Sequence, residues 1–168
     1  SLTLPIPGQN VQAQSAIESA ASKLEVQKGI VAVLGFSEAD ASSVVNLASS
    51  DGPRIYFQSA DAPAVNAVRV AAEKAQLLTI RISADAGPLS SIHLSENLAD
   101  GVLVAKATAD QVTDAEILRV LRPRGIAIIA RNPFDPAHPG TRIAKDVDAQ
   151  PPVKGVSTVR GLAILNLE

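Results

Sequence analysis

Three residues lie next to predicted buried strands, where they could hold a ligand. Gly35 ends the apolar run GIVAVLG, Gln58 ends RIYFQ, and Asp85 follows LLTIRIS. In open α/β sheets, ligands bind outside the carboxyl ends of the strands. Glycine lets the backbone approach a ligand closely, while an amide or carboxylate forms hydrogen bonds with it. Each residue also has a structural interpretation: a simple turn at Gly35, a solvated strand end at Gln58, and a local Asp turn at Asp85.

Other polar residues offer weaker candidates, and none is identified as catalytic. Glu38 and Asp40 could accept hydrogen bonds from a ligand amine, but acidic residues also stabilise a helix start, and we favour capping. His93 could act as a base near neutral pH, yet no partner is identifiable, so a surface or partly buried histidine is favoured. Basic side chains suit a solvated helix C-terminus, and we interpret three arginines in this way: Arg119, Arg122 and Arg124.

Composition limits the classes of partner. The 168 residues predict one domain, residues 1–168. With 2% aromatic residues and a net charge of −2, the chain lacks both the stacking platform and the basic surface of a nucleic-acid binder. No Cys and two distant His predict no metal site, and no apolar run is long enough to predict a membrane span. We therefore expect a soluble protein without a nucleic-acid partner.

The sequence begins at Ser1 and contains no Met. We therefore expect a processed product or a piece of a longer protein. Both a cytoplasmic location and export within a larger protein stay open.

Apolar runs and helical periodicities alternate along most of the chain. Residues 1–28 are predicted to form a lead-in and a helix. Strands are predicted at 29–35, 54–58, 77–83, 100–105 and 125–130, and helices at 42–48, 61–76 and 113–121. A turn at 122–125 contains Pro123. This alternation predicts a three-layer α/β/α sandwich around a mostly parallel, doubly wound sheet.

The C-terminal part differs in composition. Residues 132–155 are rich in Pro and polar residues, which predicts a surface excursion or a loop around a short helix near 141–147. The last segment, VSTVRGLAILNLE, predicts one or two antiparallel edge strands or a hairpin that closes the sheet. An open edge there would permit a homo-oligomer.

From about Gly29 onward the chain resembles the class I S-adenosylmethionine (SAM)-dependent methyltransferases. GIVAVLG matches the first strand of that family, Ala84–Ala86 the adenine loop, and Leu98–Asp100 the start of the fourth strand. LRVLRPRG, residues 118–125, matches the family phrase LRVLKPGG most closely. YFQSAD, IHLSENLAD and LRVLRPRG also resemble methyltransferase-like modules of larger bacterial proteins, some of them joined to PQQ-type β-propellers.

The resemblance implies a set of residues that would bind SAM: Gly35, Phe36, Gln58, Asp85 and Ala86. Two departures affect this set. The family has two or three glycines after strand one, where this chain keeps only Gly35. It also has an acidic residue at the end of strand two that holds the ribose, where this chain has the uncharged Gln58.

Two functions follow from the resemblance. In the first, the chain transfers a methyl group from SAM to an unknown acceptor, a small molecule or a protein. In the second, it is an inactive methyltransferase-like scaffold or interaction module of a larger assembly. The family's Asn/Asp-Pro-Pro-Tyr/Phe motif for nitrogen acceptors is absent, and Ala105–Ala107 stands in its place. A nicotinamide-dependent oxidoreductase is disfavoured because the sequence has no Tyr-x-x-x-Lys pair: its only Tyr, Tyr56, lies in a predicted strand.

Overall fold

The computed structural model describes residues 16–24, 26–48, 52–129, 141–145 and 162–166. Its helices are α1 (Ala16–Leu24), α2 (Ala41–Leu47), α3 (Ala62–Lys74) and α4 (Asp114–Val120), with 3-10 segments at Glu38–Asp40 and Lys106–Gln111. Its strands are β1 (Ile30–Leu34), β2 (Arg54–Ser59), β3 (Ile82–Ala86), β4 (Ala99–Val104), β5 (Leu121–Ile129), β6 (Thr141–Lys145) and β7 (Leu162–Asn166). None of the described helices has both the length and the apolar character to cross a bilayer.

The strands form one sheet in the order β3-β2-β1-β4-β5-β6-β7. β1 to β5 run parallel to one another, while β6 runs antiparallel to β5 and β7 antiparallel to β6. The predicted α/β architecture with a parallel sheet flanked by helices is confirmed. The expectations for residues 1–15 and for most of the 132–155 excursion lie outside the described residues.

Apolar side chains cover both faces of the parallel strands because successive residues of a strand point to opposite faces. Val33 and Phe57 face a core built with α1, α2 and α3. Leu34 and Tyr56 face a second core. That second core is closed by α4 together with irregular segments, whose buried residues include Leu89, Ile92 and Val112. One face is therefore covered by three helices and the other largely by loops.

The third strand lies later in the chain than predicted. Residues 77–81 were expected to begin it, but they form a turn after α3. Left-handed backbone at Gln76 (φ 60°) and Thr79 (φ 64°) produces this turn, and the Leu77 carbonyl accepts hydrogen bonds from the Arg81 and Ile82 amides. Strand β3 consequently begins at Ile82 and contains Asp85 and Ala86, which were expected in the following loop.

Two further predictions are corrected. The alternative of a short helix near 141–147 is wrong over residues 141–145, because Thr141–Lys145 is strand β6 and pairs with β5. The turn at 122–125 lies inside β5 as a bulge. Ala99 pairs with Leu121 and Gly101 with Ile126, so four residues of β5 stand opposite Asp100.

Candidate functional site

The sheet brings most of the predicted ligand residues together at the carboxyl ends of its strands. Gln58 is in register with Leu34 of β1 and with Asp85 of β3. The Gly35 amide donates to the Gln58 carbonyl at 2.9 Å. Ala86 follows beside Ser59. Gly35, Gln58, Asp85 and Ala86 thus share one edge, and Phe36 follows directly after it.

The Gln58 side chain is fully buried and faces the protein interior. Its Oε1 accepts hydrogen bonds from Tyr56 Oη and from the His93 amide, both at 2.8 Å. Its Nε2 donates to the Pro88 and Ser91 carbonyls, both at 2.9 Å. A primary amide offers two donors and an oxygen with two lone pairs. All four positions of Gln58 are therefore used by the chain itself.

The space beside Gly35 is filled by other side chains. Gly35 has a φ of 74°, a left-handed backbone that favours glycine. A β-carbon placed there would overlap the Thr108 hydroxyl and lie 2.8 Å from Leu89 Cδ1. Thr108 Oγ1 donates to the Gly35 carbonyl at 3.2 Å. Phe36 is partly buried against the core on the helix-rich face. The space beside Gly35 that a cofactor could use, here called the cradle, is thus occupied by Thr108 and Leu89.

Ala86 is exposed, and Asp85 is the charged member of the predicted set. The Asp85 side chain is 49% exposed and lies 3.8 Å from the Arg69 guanidinium. Asp85 also accepts a hydrogen bond from Tyr56 Oη at 3.2 Å. Burial, and then the nearby Asp85 charge, raises the pKa of Tyr56 far above its ordinary value. Tyr56 therefore stays protonated and shares its single proton between Asp85 and Gln58.

Residues 87–98, here called the 87–98 loop, cover this edge of the sheet. Leu89 is 1% exposed and Ile92 is 2% exposed. Arg119 on α4 holds the loop by donating to the Ile92 carbonyl at 2.7 Å and to the Leu94 carbonyl at 2.8 Å. Glu116 accepts from the Ile92 amide at 2.9 Å. The loop is therefore part of the core and is bound to α4 by side chains.

Two of the three arginines form ion pairs, whereas Arg124 is exposed as predicted. Arg119 is partly buried and pairs with Glu116 at 2.7 Å. Arg122 pairs with Asp100 at 3.0 Å across the bulge. The spacing of Glu116 and Arg119, three residues apart on a helix, is the sequence signal that could have revealed their pairing. Nothing in the spacing of Thr108 or Leu89 indicates that they fill the cradle of Gly35.

The remaining candidates act locally. Asp40 Oδ2 accepts from the Ser37 amide at 3.1 Å and from its hydroxyl at 3.0 Å, which agrees with the capping interpretation. His93 is exposed and contributes its backbone amide to the Gln58 network. Within the described part of the chain, no three His, Asp or Glu side chains are grouped as metal ligands.

The Glu116–Arg119 pair predicts an acid-sensitive contribution to stability. The hydrogen bond from Arg119 lowers the pKa of Glu116 below its ordinary 4.5. A depressed folded-state pKa contributes stability that is present above the unfolded-state pKa and is lost as the pH falls through the folded-state value. We expect urea unfolding to show Glu116→Gln less stable than wild type at pH 7, with the difference shrinking progressively as the pH falls below the ordinary value of 4.5. An undiminished difference at pH 3 would contradict this assignment.

No protein-family model and no curated protein matches the sequence. Solved structures do match it. A SAM-dependent methyltransferase from Aquifex aeolicus aligns with a TM-score of 0.56 at 15% identity, over 67% of this chain and 62% of that one. A geranyl diphosphate methyltransferase in complex with SAM aligns with a TM-score of 0.60 at 12% identity, over 69% of this chain and 48% of that one.

A third structure is a complex between the Haloferax volcanii methyltransferase activator Trm112 and a methyltransferase. It aligns with a TM-score of 0.55 at 20% identity, over 70% of this chain and 51% of that one. The alignments cover between 48% and 62% of these three structures. Identities this low establish the fold alone. The chain has the Rossmann-like fold of the class I SAM-dependent methyltransferases.

Proposed function

We propose that this chain is a non-catalytic methyltransferase-fold module that serves as a scaffold or interaction domain within a larger protein or assembly. The observation that carries the proposal is the buried Gln58 amide, whose four hydrogen-bonding positions are all used by the protein. A ribose at this position would have to displace Tyr56 or the 87–98 loop.

The residues at the carboxyl edge do not fit SAM as arranged. The resemblance requires an outward acidic side chain after strand two and open space beside the first glycine. Here Gln58 points inward, and Thr108 and Leu89 occupy the space beside Gly35. Of the five predicted residues, Gly35 and Gln58 are buried, Phe36 and Asp85 are half-buried, and Ala86 is exposed. Asp85 alone offers a charged group to a ligand.

Methyl transfer from SAM is the second candidate. It is supported by the solved structures of the same fold, which include SAM-dependent methyltransferases and one complex with SAM. SAM is therefore the cofactor to test, with Gly35, Phe36, Gln58, Asp85 and Ala86 as its binding residues. Binding would require the 87–98 loop to leave the sheet edge.

The energy of that opening favours the first candidate. Opening the loop exposes Leu89 and Ile92, each worth about 1.5–3 kcal/mol of burial. Together the two residues make the opening unfavourable by at least about 3 kcal/mol. Because about 1.4 kcal/mol changes an equilibrium constant tenfold, the open state has a population below about 1%. The apparent affinity for SAM falls by the same fraction, at least about 100-fold. The methyl acceptor is undefined for this candidate. A protein partner is supported by one of the similar structures, which is a complex with an activator protein.

Titration with S-adenosylhomocysteine (SAH), the demethylated form of SAM, separates the two candidates. We expect no heat and no thermal shift at about millimolar ligand, because the cradle is filled and Gln58 has no free polar atom. Asp85→Ala serves as the accessible-site control, and Gln58→Ala as the buried-site control. Micromolar binding that both substitutions abolish would contradict the scaffold proposal and establish a cofactor site at this edge.

A further inference from the structure

A second concave site lies at the opposite edge of the sheet, at the amino ends of β1 and β5. It is a cavity of about 410 Å³ between the end of α1 and the β5 bulge. Three basic residues line it: Lys28, Arg122 and Arg124. Asp100 is the acidic residue in its lining. Apolar surface comes from neighbouring residues, among them Val26 and Ile126.

Asp100 is already occupied by the protein. Its Oδ2 accepts from the Ile30 amide at 2.9 Å and its Oδ1 from Arg122 at 3.0 Å. It therefore orients Arg122 and uses one of the five N–H donors of that guanidinium. Among the residues that the structure describes, neither Lys28 nor Arg124 forms an ion pair with a carboxylate. The lining consequently carries two positive charges in excess.

Arg124 adopts a strained backbone at the rim of this cavity. Its φ of 69° is left-handed, where glycine is favoured and an arginine is uncommon. The matching position of the family phrase LRVLKPGG is a glycine. A side chain at a strained backbone position suggests a functional use when its surroundings supply one. The surroundings here are two further cations and a cavity.

We infer that this cavity binds a small phosphate monoester with an apolar body. The phosphate carries close to two negative charges, which match the excess of the lining, and guanidinium groups bind its oxygens in a forked geometry. A volume of about 410 Å³ suits a small ligand rather than a protein segment. The apolar lining beside Val26 and Ile126 accommodates the rest of the molecule. This site is independent of the proposed scaffold function and of SAM.

The test is a titration of the full chain with phenyl phosphate at constant ionic strength, followed by calorimetry and amide NMR shifts. Inorganic phosphate and a Glu-rich peptide are the comparison probes. We expect saturable phenyl phosphate binding at about millimolar or tighter, weaker binding of inorganic phosphate, and shifts at residues 28 and 122–126. Lys28→Gln and Arg124→Gly should each weaken binding about tenfold. Lys106→Gln, an equal change of charge at the other edge, should leave it unchanged.

Arg124→Gly is the sharpest variant because glycine relieves the backbone strain. It should raise the thermal midpoint while it weakens binding, so loss of binding cannot be attributed to misfolding. Absence of saturation by phenyl phosphate would overturn the inference. So would saturation by the Glu-rich peptide alone, equal or tighter binding of inorganic phosphate, or an equal loss of affinity in Lys106→Gln.

Discussion

Gln58→Glu is expected to lower the free energy of unfolding by about 4 kcal/mol, although it restores the acidic residue that the methyltransferase family has at this position. The Nε2 donor would become a carboxylate oxygen that faces the Pro88 and Ser91 carbonyls. Both carbonyls would lose their hydrogen bonds, and a charge would be buried without a cation. Stabilities of small domains are about 5–15 kcal/mol, so the loss is a large part of the total.

Urea unfolding at pH 7 measures this effect, and the pH dependence identifies its cause. At about pH 4 a protonated carboxyl can again donate one hydrogen bond, so the destabilisation should shrink. Asp85→Asn is the matched control. Because Asp85 is half exposed and its partner Arg69 is 3.8 Å away, we expect a change below about 1 kcal/mol. A Gln58→Glu variant as stable as wild type would show that this side chain is free to face a ligand.

Gly35→Ala is expected to destabilise the protein by about 3 kcal/mol, the second of the large effects. Left-handed backbone contributes about 1 kcal/mol for a residue with a β-carbon. The remainder comes from overpacking, because the new methyl group would overlap the Thr108 hydroxyl and lie 2.7 Å from Thr108 Cβ. If the cradle were open, Gly35→Ala would destabilise the protein only by the backbone cost of about 1 kcal/mol. The size of the effect therefore distinguishes a filled cradle from an open one.

A double-mutant cycle with Thr108→Gly isolates the contact. Removing the Thr108 side chain makes room for the methyl group. In that background the destabilisation by Gly35→Ala should therefore be smaller by at least about 1 kcal/mol. Thermal and urea unfolding of the four proteins supply the coupling energy. Strictly additive effects would mean that Thr108 does not occupy the cradle, and the scaffold proposal would lose one of its two supports.

The sequence predicts β1 and β2 well because each contains a short, continuous apolar run. GIVAVLG and RIYFQ lie within one or two residues of β1 and β2. The error at the third strand has a physical cause. Leu77 and Leu78 resemble strand residues, yet they pack against the helix-rich core while the backbone turns through left-handed conformations at Gln76 and Thr79. Local apolar pattern does not distinguish these two uses of a leucine.

The sequence predicts where the candidate site lies, but it does not predict that the site is closed by other side chains. Spacing places Gly35, Gln58 and Asp85 at one sheet edge, and the strand register agrees. Whether that edge is open depends on Leu89 and Thr108, which are distant from Gly35 in sequence. Their contacts arise from the fold of the 87–98 loop and the Lys106–Gln111 segment. Those contacts are long-range packing, which no local pattern encodes.

Native-state hydrogen exchange of the Ile92 and His93 amides tests the central claim, that the protein itself permanently closes the carboxyl edge. These amides donate to Glu116 and Gln58. If the 87–98 loop belongs to the core, their opening free energies should lie within about 1 kcal/mol of the global value and should not change with saturating SAH. Exchange through a low-energy local opening, slowed by SAH, would contradict the claim and identify the loop as the lid of a working cofactor site.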